Sequence, residues 1–396
     1  MTLHSVPSRA GGGSRRNGHR PIELPLVAVL PFRSQDDHIL PSYFVDGMTR
    51  EVIATLGRLP DLSAVAASSV LRYRGLSIDP RGAGHALGAD FVVTGEIARI
   101  DQRLTFNQRL IDVAGGELIW MDSFEANIDA LHDAEHWIVA RVAAGLVPHL
   151  REFEIQRALS VRPRHLTAYD AMLRACDSLR SLTPVHLDEA GRLLDHAMHV
   201  DPTFSLPYAW AARVHSLRIG QGWARDKAAE AEVALALATK SIALDERNSL
   251  AMATCGHLQS FLFHRYDDAL DLLDRAIEVC HSDALAWSLS SATLTYCGYS
   301  SEAFDRAMHA IRLSPMDQMI HQLYCFAALA CYGCGNYADA QTWSRKSLAE
   351  NPRYTSSHKI LIASLVADGK VNEARDVAAE LRRLDTTRFA QLAAAR

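Results

Sequence analysis

Two histidines four residues apart are the feature of this sequence that comes nearest to a catalytic metal site. They stand in the stretch HDAEH, as His132 and His136. On a helix such a pair lies on one face and can bind one zinc ion, with a glutamate beside the first histidine as general base. That position holds Asp133, whose carboxylate is one methylene shorter, and no third ligand follows at a recognisable spacing. We interpret the pair as helix-surface histidines, with adventitious metal binding as the alternative, and we expect no catalytic residues and no metal site.

A second candidate is the pair Cys331 and Cys334, with Cys325 nearby. A structural zinc site normally needs a second ligand pair, and a redox pair of this spacing needs a strand-to-helix setting. These cysteines instead end a predicted helix, at positions where small residues pack. We expect packing thiols, and an opportunistic disulfide or metal site is the alternative.

The glycines of the stretch GAGHALG, residues 82–88, suggest a dinucleotide-binding loop. In that loop the last glycine comes one residue earlier, and the loop follows a strand and opens a helix. Here the glycines come before a predicted strand. The sequence also lacks a phosphate-binding P-loop motif and a nucleophile-elbow motif. We therefore expect no nucleotide and no other cofactor.

Composition narrows the class of protein further. The chain has 396 residues, of which 48% are hydrophobic and 22% are charged, and its formal net charge is -5. A nucleic-acid-binding domain is usually strongly basic, so we do not expect direct binding to nucleic acid. No apolar run reaches the length of a membrane span. The seven cysteines, an odd number, favour reduced thiols, and we expect a cytoplasmic protein.

The elements that would position any site are set by a repeated pattern, which we call the repeat frame. It is a small residue followed, in most copies, by another small residue seven positions on and by a helix-ending residue after four more. The frames fall on Ala190, Ala197 and Asp201; Ala234, Ser241 and Asp245; Ala269, Ala276 and Cys280; Ala303, Ala310 and Ser314; Ala340, Ser347 and Asn351; and Ala374, Leu381 and Asp385. Steps of roughly 34 to 44 residues are typical of stacked helix pairs.

Each part of the repeat frame has a physical reason. Small residues two helical turns apart let two helices approach closely. Prolines such as Pro202 and Pro315 then begin the next helix, and glycines such as Gly298 end the first helix of a unit. With Trp287, these residues resemble the tetratricopeptide repeat over about residues 167–390. An insertion near residues 220–229 enlarges the second unit.

The amino-terminal part has different periodicities. Residues 26–32 form an apolar run of strand length, residues 43–58 carry a helical stripe, and a short strand and a helix follow. From residue 90 the period changes to two, which predicts three strands joined by hairpins, and residues 129–159 return to helical spacing. We predict an α/β domain with a mixed sheet over residues 25–160, preceded by a disordered tail at 1–24 and followed by an all-α repeat superhelix at 166–396.

The segments AVLPF, YFVDGMTREVIATLGRLPDL and HALGADFVVTGEIARIDQRLTFNQRLIDVAGGELIW resemble the amino-terminal domain of TolB. Such a domain stands before tetratricopeptide repeats in some bacterial class III adenylate cyclases and in winged-helix regulators of the CadC type. In those proteins the cyclase or DNA-binding domain lies upstream. Only about 25 residues precede the domain here, so neither activity is carried over by the resemblance.

The resemblance to tetratricopeptide proteins implies that the first helix of each unit lines a concave groove, which binds a protein or peptide segment. Transferring the repeat frame predicts seven groove residues: Arg213, His257, Ser260, Ser288, Thr295, Gln322 and Lys359. A short helix at 386–396 is expected to cap the stack. We predict a non-enzymatic interaction scaffold with a sensing or regulatory role. The alternative is a sensory module for a separately encoded DNA-binding or cyclase protein.

Overall fold

The computed structural model describes most of the chain, namely residues 24–34, 42–76, 78–100, 103–127, 131–160, 166–315 and 317–394. Nearly all of the predicted tail and the linker at 161–165 lie outside the described residues, as do the side chains of His132 and His136. None of the helices in the described part combines the length and the apolar character that a bilayer-crossing segment requires.

The amino-terminal half is built on a six-stranded sheet. Its strands are β1 (Leu26–Val29), β2 (Arg33–Ser34), β3 (Ser63–Ala64), β4 (Phe91–Ile100), β5 (Arg103–Asp112) and β6 (Leu118–Asn127). The order is β3-β1-β4-β5-β6, with β2 also paired to β4. β1 runs parallel to β3 and β4, whereas β4, β5 and β6 are antiparallel hairpins. The prediction of a mixed sheet is confirmed.

Among the described residues, four α-helices accompany this sheet, namely α1 (Ser42–Leu56), α2 (Ala67–Val70), α3 (Pro80–Leu87) and α4 (Leu131–Ser160), and a 3-10 helix at Leu71–Tyr73 follows α2. α3 shows how local sequence sets the bounds. The Asp79 side chain accepts hydrogen bonds from the first amides of α3, Pro80 occupies its first position, and Gly88 ends it at φ 66°. The glycines of the suspected loop therefore belong to a capped helix that leads into β4.

Close packing in the sheet depends on glycine at one position of β4. A Cβ atom added to Gly95 would lie 2.0 Å from Cε1 of Phe32. Phe32 is 5% exposed and belongs to the same core as Val52 and Leu146. The ring thus covers the backbone of β4, which leaves no space for any side chain there.

The carboxyl-terminal half is six antiparallel helix pairs within the described residues. They are α5 (Ala168–Arg180) with α6 (Pro184–Val200), α7 (Ser205–Gly220) with α8 (Lys227–Leu244), α9 (Ser249–Phe263) with α10 (Tyr266–Val279), α11 (Ala284–Tyr296) with α12 (Ser300–Leu313), α13 (Ile320–Gly333) with α14 (Tyr337–Glu350), and α15 (Thr355–Ala367) with α16 (Val371–Ala394). Fold class is therefore as predicted: a mixed α/β part followed by a tetratricopeptide-type superhelix.

The repeat frame describes the second helix of each pair. Its first two residues are buried in the first five pairs, and Ala374 is buried in the sixth. The third residue ends the helix by donating its N–H to the carbonyl of the second, as Asp201 does to Ala197 and Cys280 to Ala276. α16 instead continues to Ala394. The separate capping helix predicted at 386–396 is wrong, because no glycine or proline interrupts the sequence after Gly369.

The first helices of the central pairs have an unusual composition. α9, α11 and α13 contain no aspartate, glutamate, lysine or arginine, whereas their partners α10, α12 and α14 are rich in charge. A helix without a charged face is normally buried on all sides. The first helices indeed pack on one another, and the interior of the superhelix is part of the core.

The insertion in the second unit closes this interior. Gln221 follows α7, and its Oε1 accepts hydrogen bonds from the N–H and the hydroxyl of Thr355, both at 2.9 Å. Its Nε2 donates to Oγ of Ser356 at 3.2 Å. Lys359 Nζ donates to the Gly220 carbonyl at 3.2 Å. The second and sixth units therefore touch, although they are 134 residues apart in sequence.

Candidate functional site

The seven residues predicted to line an open groove are placed differently in the structure. Five of them are buried inside the superhelix: Arg213, His257, Ser260, Ser288 and Gln322. Thr295 is half-buried and its hydroxyl donates to the Ser291 carbonyl, while Lys359 is exposed at the contact between the second and sixth units. The expectation of an open concave groove is thus corrected, because the uncharged first helices pack together and Gln221 joins the ends.

The buried set forms contacts within the protein. The Ser260 and Thr293 hydroxyls are 2.8 Å apart, and the His257 ring stacks on Phe261 with centroids 5.5 Å apart. Burial, aided by the nearby Arg213 cation, lowers the pKa of His257 to about 3. His257 is therefore neutral at physiological pH. A guanidinium N–H of Arg213 donates to Oε1 of Gln322, and these two side chains also line a cavity.

In the described part of the chain, Cys331 and Cys334 have no second ligand pair beside them. Cys331 is buried in α13, and Cys334 is the exposed residue that ends this helix. All seven cysteines are free thiols. Within the described residues, no group of three or more histidine, cysteine and acidic side chains is placed to hold a metal ion.

A cavity of about 220 Å³ lies where the α/β domain meets the superhelix. One wall is α4, which contributes Ala144, Val147 and Arg151. The opposite wall comes from the first helices of several pairs, including Met172 on α5 and Trp210 on α7. The cavity is therefore formed by segments from both halves of the molecule, which is a common place for small-molecule sites.

Contacts across this junction hold α4 in place. Arg151 forms two hydrogen bonds with the Asp61 carboxylate, at 2.5 and 3.0 Å, and the Tyr169 hydroxyl donates to the Asp61 carbonyl at 3.4 Å. Glu152 accepts from Arg180 at 2.8 Å and from Gln318 at 2.6 Å. These bonds connect α4 to α5 and to the segment before α13. A displacement of α4 would therefore alter contacts in both halves of the molecule.

The charged side chains of the cavity differ in their hydrogen-bond partners. Asp283 accepts from the Leu285 and Ala286 amides and from the Ser249 hydroxyl. Asp317 accepts from the Met319 amide at 2.8 Å. Asp283 caps the start of α11, and Asp317 is bonded to the amide of Met319, the residue before α13, so backbone amides hold both carboxylates. Arg213 contrasts with them, because its described partner is a neutral amide.

Sequence reasoning found Arg213 and Gln322 but missed Asp61, Arg151 and Asp283. Asp283 carried a signal, since an aspartate directly before an uncharged apolar helix is a typical N-cap. Asp61 and Arg151 carried none, because 90 residues separate them. Their meeting depends on how α4 crosses the domain.

Comparison with family models finds no match. A curated protein, "Putative adenylate cyclase 3" of Rhizobium meliloti (strain 1021), is 25% identical over 185 residues, which is 47% of this chain and 32% of that protein. The chain therefore spans about a third of the curated relative that it matches.

Among solved structures, a thermophilic tetratricopeptide repeat protein of Thermus thermophilus covers 48% of this chain and 99% of its own, at 16% identity and a TM-score of 0.38. TolB of Acinetobacter baumannii covers 32% of this chain and 29% of its own, at 17% identity and a TM-score of 0.23. At this level the TolB-like character of the α/β domain stays a prediction.

Proposed function

We propose that the chain is a regulatory interaction module without catalytic activity of its own. In this proposal a small molecule enters the cavity between α4 and the superhelix, and a partner protein reads the resulting change on the outer surface. The observation that carries the proposal is the position of the cavity at the junction of the two halves. Because Asp61, Arg151 and Trp210 all line it, a ligand there would contact both halves at once.

Coupling between ligand and partner follows from the contacts around the cavity. A ligand shifts a conformational equilibrium only when it contacts the two states differently. Glu152 bonds to Arg180 and Gln318, which belong to the first and fifth units of the superhelix. A ligand against α4 would therefore change how tightly these units hold the α/β domain. Because the interior is closed, the partner binds the outer surface of the superhelix in this proposal. This replaces the expected binding of a peptide in the concave groove.

A second candidate is that the module regulates adenylate cyclase activity. It is favoured by the similarity to a putative adenylate cyclase, which covers 47% of this chain. In this version the partner is a cyclase domain, either separate or in a longer protein. A DNA-binding partner is supported by the predicted resemblance alone.

The seven free thiols fit a reducing compartment, and we propose that the module acts in the cytoplasm.

The test is to purify the chain under native conditions from its own cells and to analyse it by native mass spectrometry. Ala144 lines the cavity from α4, and Ala144→Phe is designed to fill the space. We expect wild type to retain a small molecule that the variant lacks, and we expect quantitative crosslinking to show different partner occupancy for the two proteins. Wild type that retains nothing, with the same partners as Ala144→Phe, would overturn the proposed function.

A further inference from the structure

The cavity contains a buried cation without a carboxylate partner. Arg213 is 4% exposed, and the acceptor of its hydrogen bond is Oε1 of Gln322. Within the described residues no carboxylate lies within ion-pairing distance of its guanidinium. The other arginines of the cavity differ: Arg151 pairs with Asp61, and Arg180 pairs with Glu152 at 2.8 Å. Arg213 is therefore the cavity arginine whose charge a ligand could neutralise.

The energetics of burial support this assignment. A buried charge is costly unless it is paired and hydrogen-bonded, and guanidinium offers five N–H donors. Burial lowers the pKa of Arg213, while the fields of Tyr354, Asp317 and Asp283 act in the opposite direction. Arginine does not deprotonate in proteins, so the cation remains and its donors need acceptors. A carboxylate matches guanidinium with two parallel hydrogen bonds.

The walls around Arg213 restrict what the rest of the ligand can be. Leu206, Trp210 and Leu250 line the cavity beside it, so an apolar body would be buried there. Asp283 and Asp317 also line the cavity, and Asp283 cannot turn away because two amides and a hydroxyl hold it. Burial raises the pKa of Asp283, and the negative charge that the two carboxylates carry opposes a second charge on an anionic ligand. Dicarboxylates and phosphate are therefore disfavoured.

We propose that Arg213 binds the carboxylate of a small organic monocarboxylic acid, whose apolar body lies against Leu206, Trp210 and α4. The volume of about 220 Å³ is below the roughly 300–1,000 Å³ of pockets for drug-sized ligands, so the acid is small. This inference rests on the proposed function, and it adds the chemical class of the ligand and the residue that recognises it.

The experiment is isothermal titration calorimetry on the full chain with straight-chain acids from butanoate to octanoate. The matched amide of each acid and inorganic phosphate are the comparison ligands. Because losing one charge-assisted bidentate pair weakens binding by about tenfold or more, wild type should bind its best acid at least that much more tightly than the amide. Phosphate should not compete.

Variants then assign the contact to Arg213. Arg213→Gln should weaken acid binding by about tenfold or more and leave amide binding within about twofold. The matched control is Arg218→Gln on the same helix, whose native side chain pairs with Asp188 and Glu230 away from the cavity. It should bind the acid like wild type. The comparison of acid with amide in wild type needs no variant, so a poorly folded Arg213→Gln protein does not remove the test.

Three results would overturn the carboxylate assignment: no acid binds wild type at millimolar concentration, acid and amide bind equally, or Arg213→Gln binds the acid like wild type. Failure of this kind is distinct from failure of the proposed function. If native wild type retains an uncharged or cationic molecule that Ala144→Phe lacks, the carboxylate assignment falls and the regulatory module stands.

Discussion

Gln221 should hold the superhelix closed, and removing its side chain should open it. Gln221 is 3% exposed and accepts two hydrogen bonds from Thr355 at the start of α15. The N-cap of this helix, Tyr354, makes no side-chain capping bond, so a residue from a distant unit supplies the acceptor. Gln221→Ala therefore leaves the buried Thr355 amide without a partner.

The magnitude follows from these bonds. A buried donor left without an acceptor costs about 1–3 kcal/mol, and the lost hydroxyl bond adds about 1 kcal/mol. We expect a local loss of about 2–4 kcal/mol at the contact between α7 and α15. Each 1.4 kcal/mol is a factor of ten, so amides at the start of α15 should exchange hydrogen about 30- to 700-fold faster.

Hydrogen exchange read by mass spectrometry on peptides from α15 measures this effect. The control is Lys240→Ala, at an exposed position of α8, which should change unfolding free energy by no more than about 0.5 kcal/mol and leave α15 unaffected. Exchange of α15 at the wild-type rate in Gln221→Ala would refute the claim that this glutamine closes the interior.

Three further predictions follow from packing and burial. Ala276→Leu overfills a fully buried position between two helices and should lower the free energy of unfolding in urea by about 1–3 kcal/mol. The control Arg275→Leu, at the exposed neighbouring position, should be near neutral, and equal losses for the two variants would contradict close helix packing at Ala276. Gly95→Ala places a Cβ 2.0 Å from the Phe32 ring and should lower the midpoint of thermal unfolding, with partial recovery in the double variant with Phe32→Leu; an unchanged melt would contradict the packing. Burial lowers the pKa of His257 to about 3, whereas the pKa of histidine in the unfolded chain is about 6.5. Between these two pH values only the unfolded chain binds the proton, so the free energy of unfolding decreases as the pH is lowered. His257→Gln should therefore lose about 2 kcal/mol less than wild type between about pH 7 and about pH 5 in urea unfolding, and identical pH slopes would contradict this.

The helix pairs could be predicted from the sequence because their determinants are local. Ala269 and Ala276 are two turns apart on one helix, and Cys280 ends that helix four residues later. The mixed sheet was equally accessible, since alternation over residues 90–127 separates three strands by short turns. In both cases the residues that decide the structure lie within a few turns of one another.

The interior and the cavity could not be predicted in the same way. Whether the second unit meets the sixth depends on a small rotation per unit, summed over several units. Nothing in the sequence around Gln221 or Thr355 indicates that they meet, because their contact depends on the accumulated rotation of the units between them. One signal was present and missed: α9, α11 and α13 lack charge entirely, which indicates helices with no solvent-facing side.

The contact between Gln221 and Thr355 also limits how this protein can evolve. An extended array can gain or lose a unit by duplication or deletion, because each unit meets its immediate neighbours and nothing else. Here the removal of one internal unit would shift α15 away from α7 and break the bond between the ends. The number of units should therefore be fixed across descendants of this chain, while the loops on its outside are free to vary.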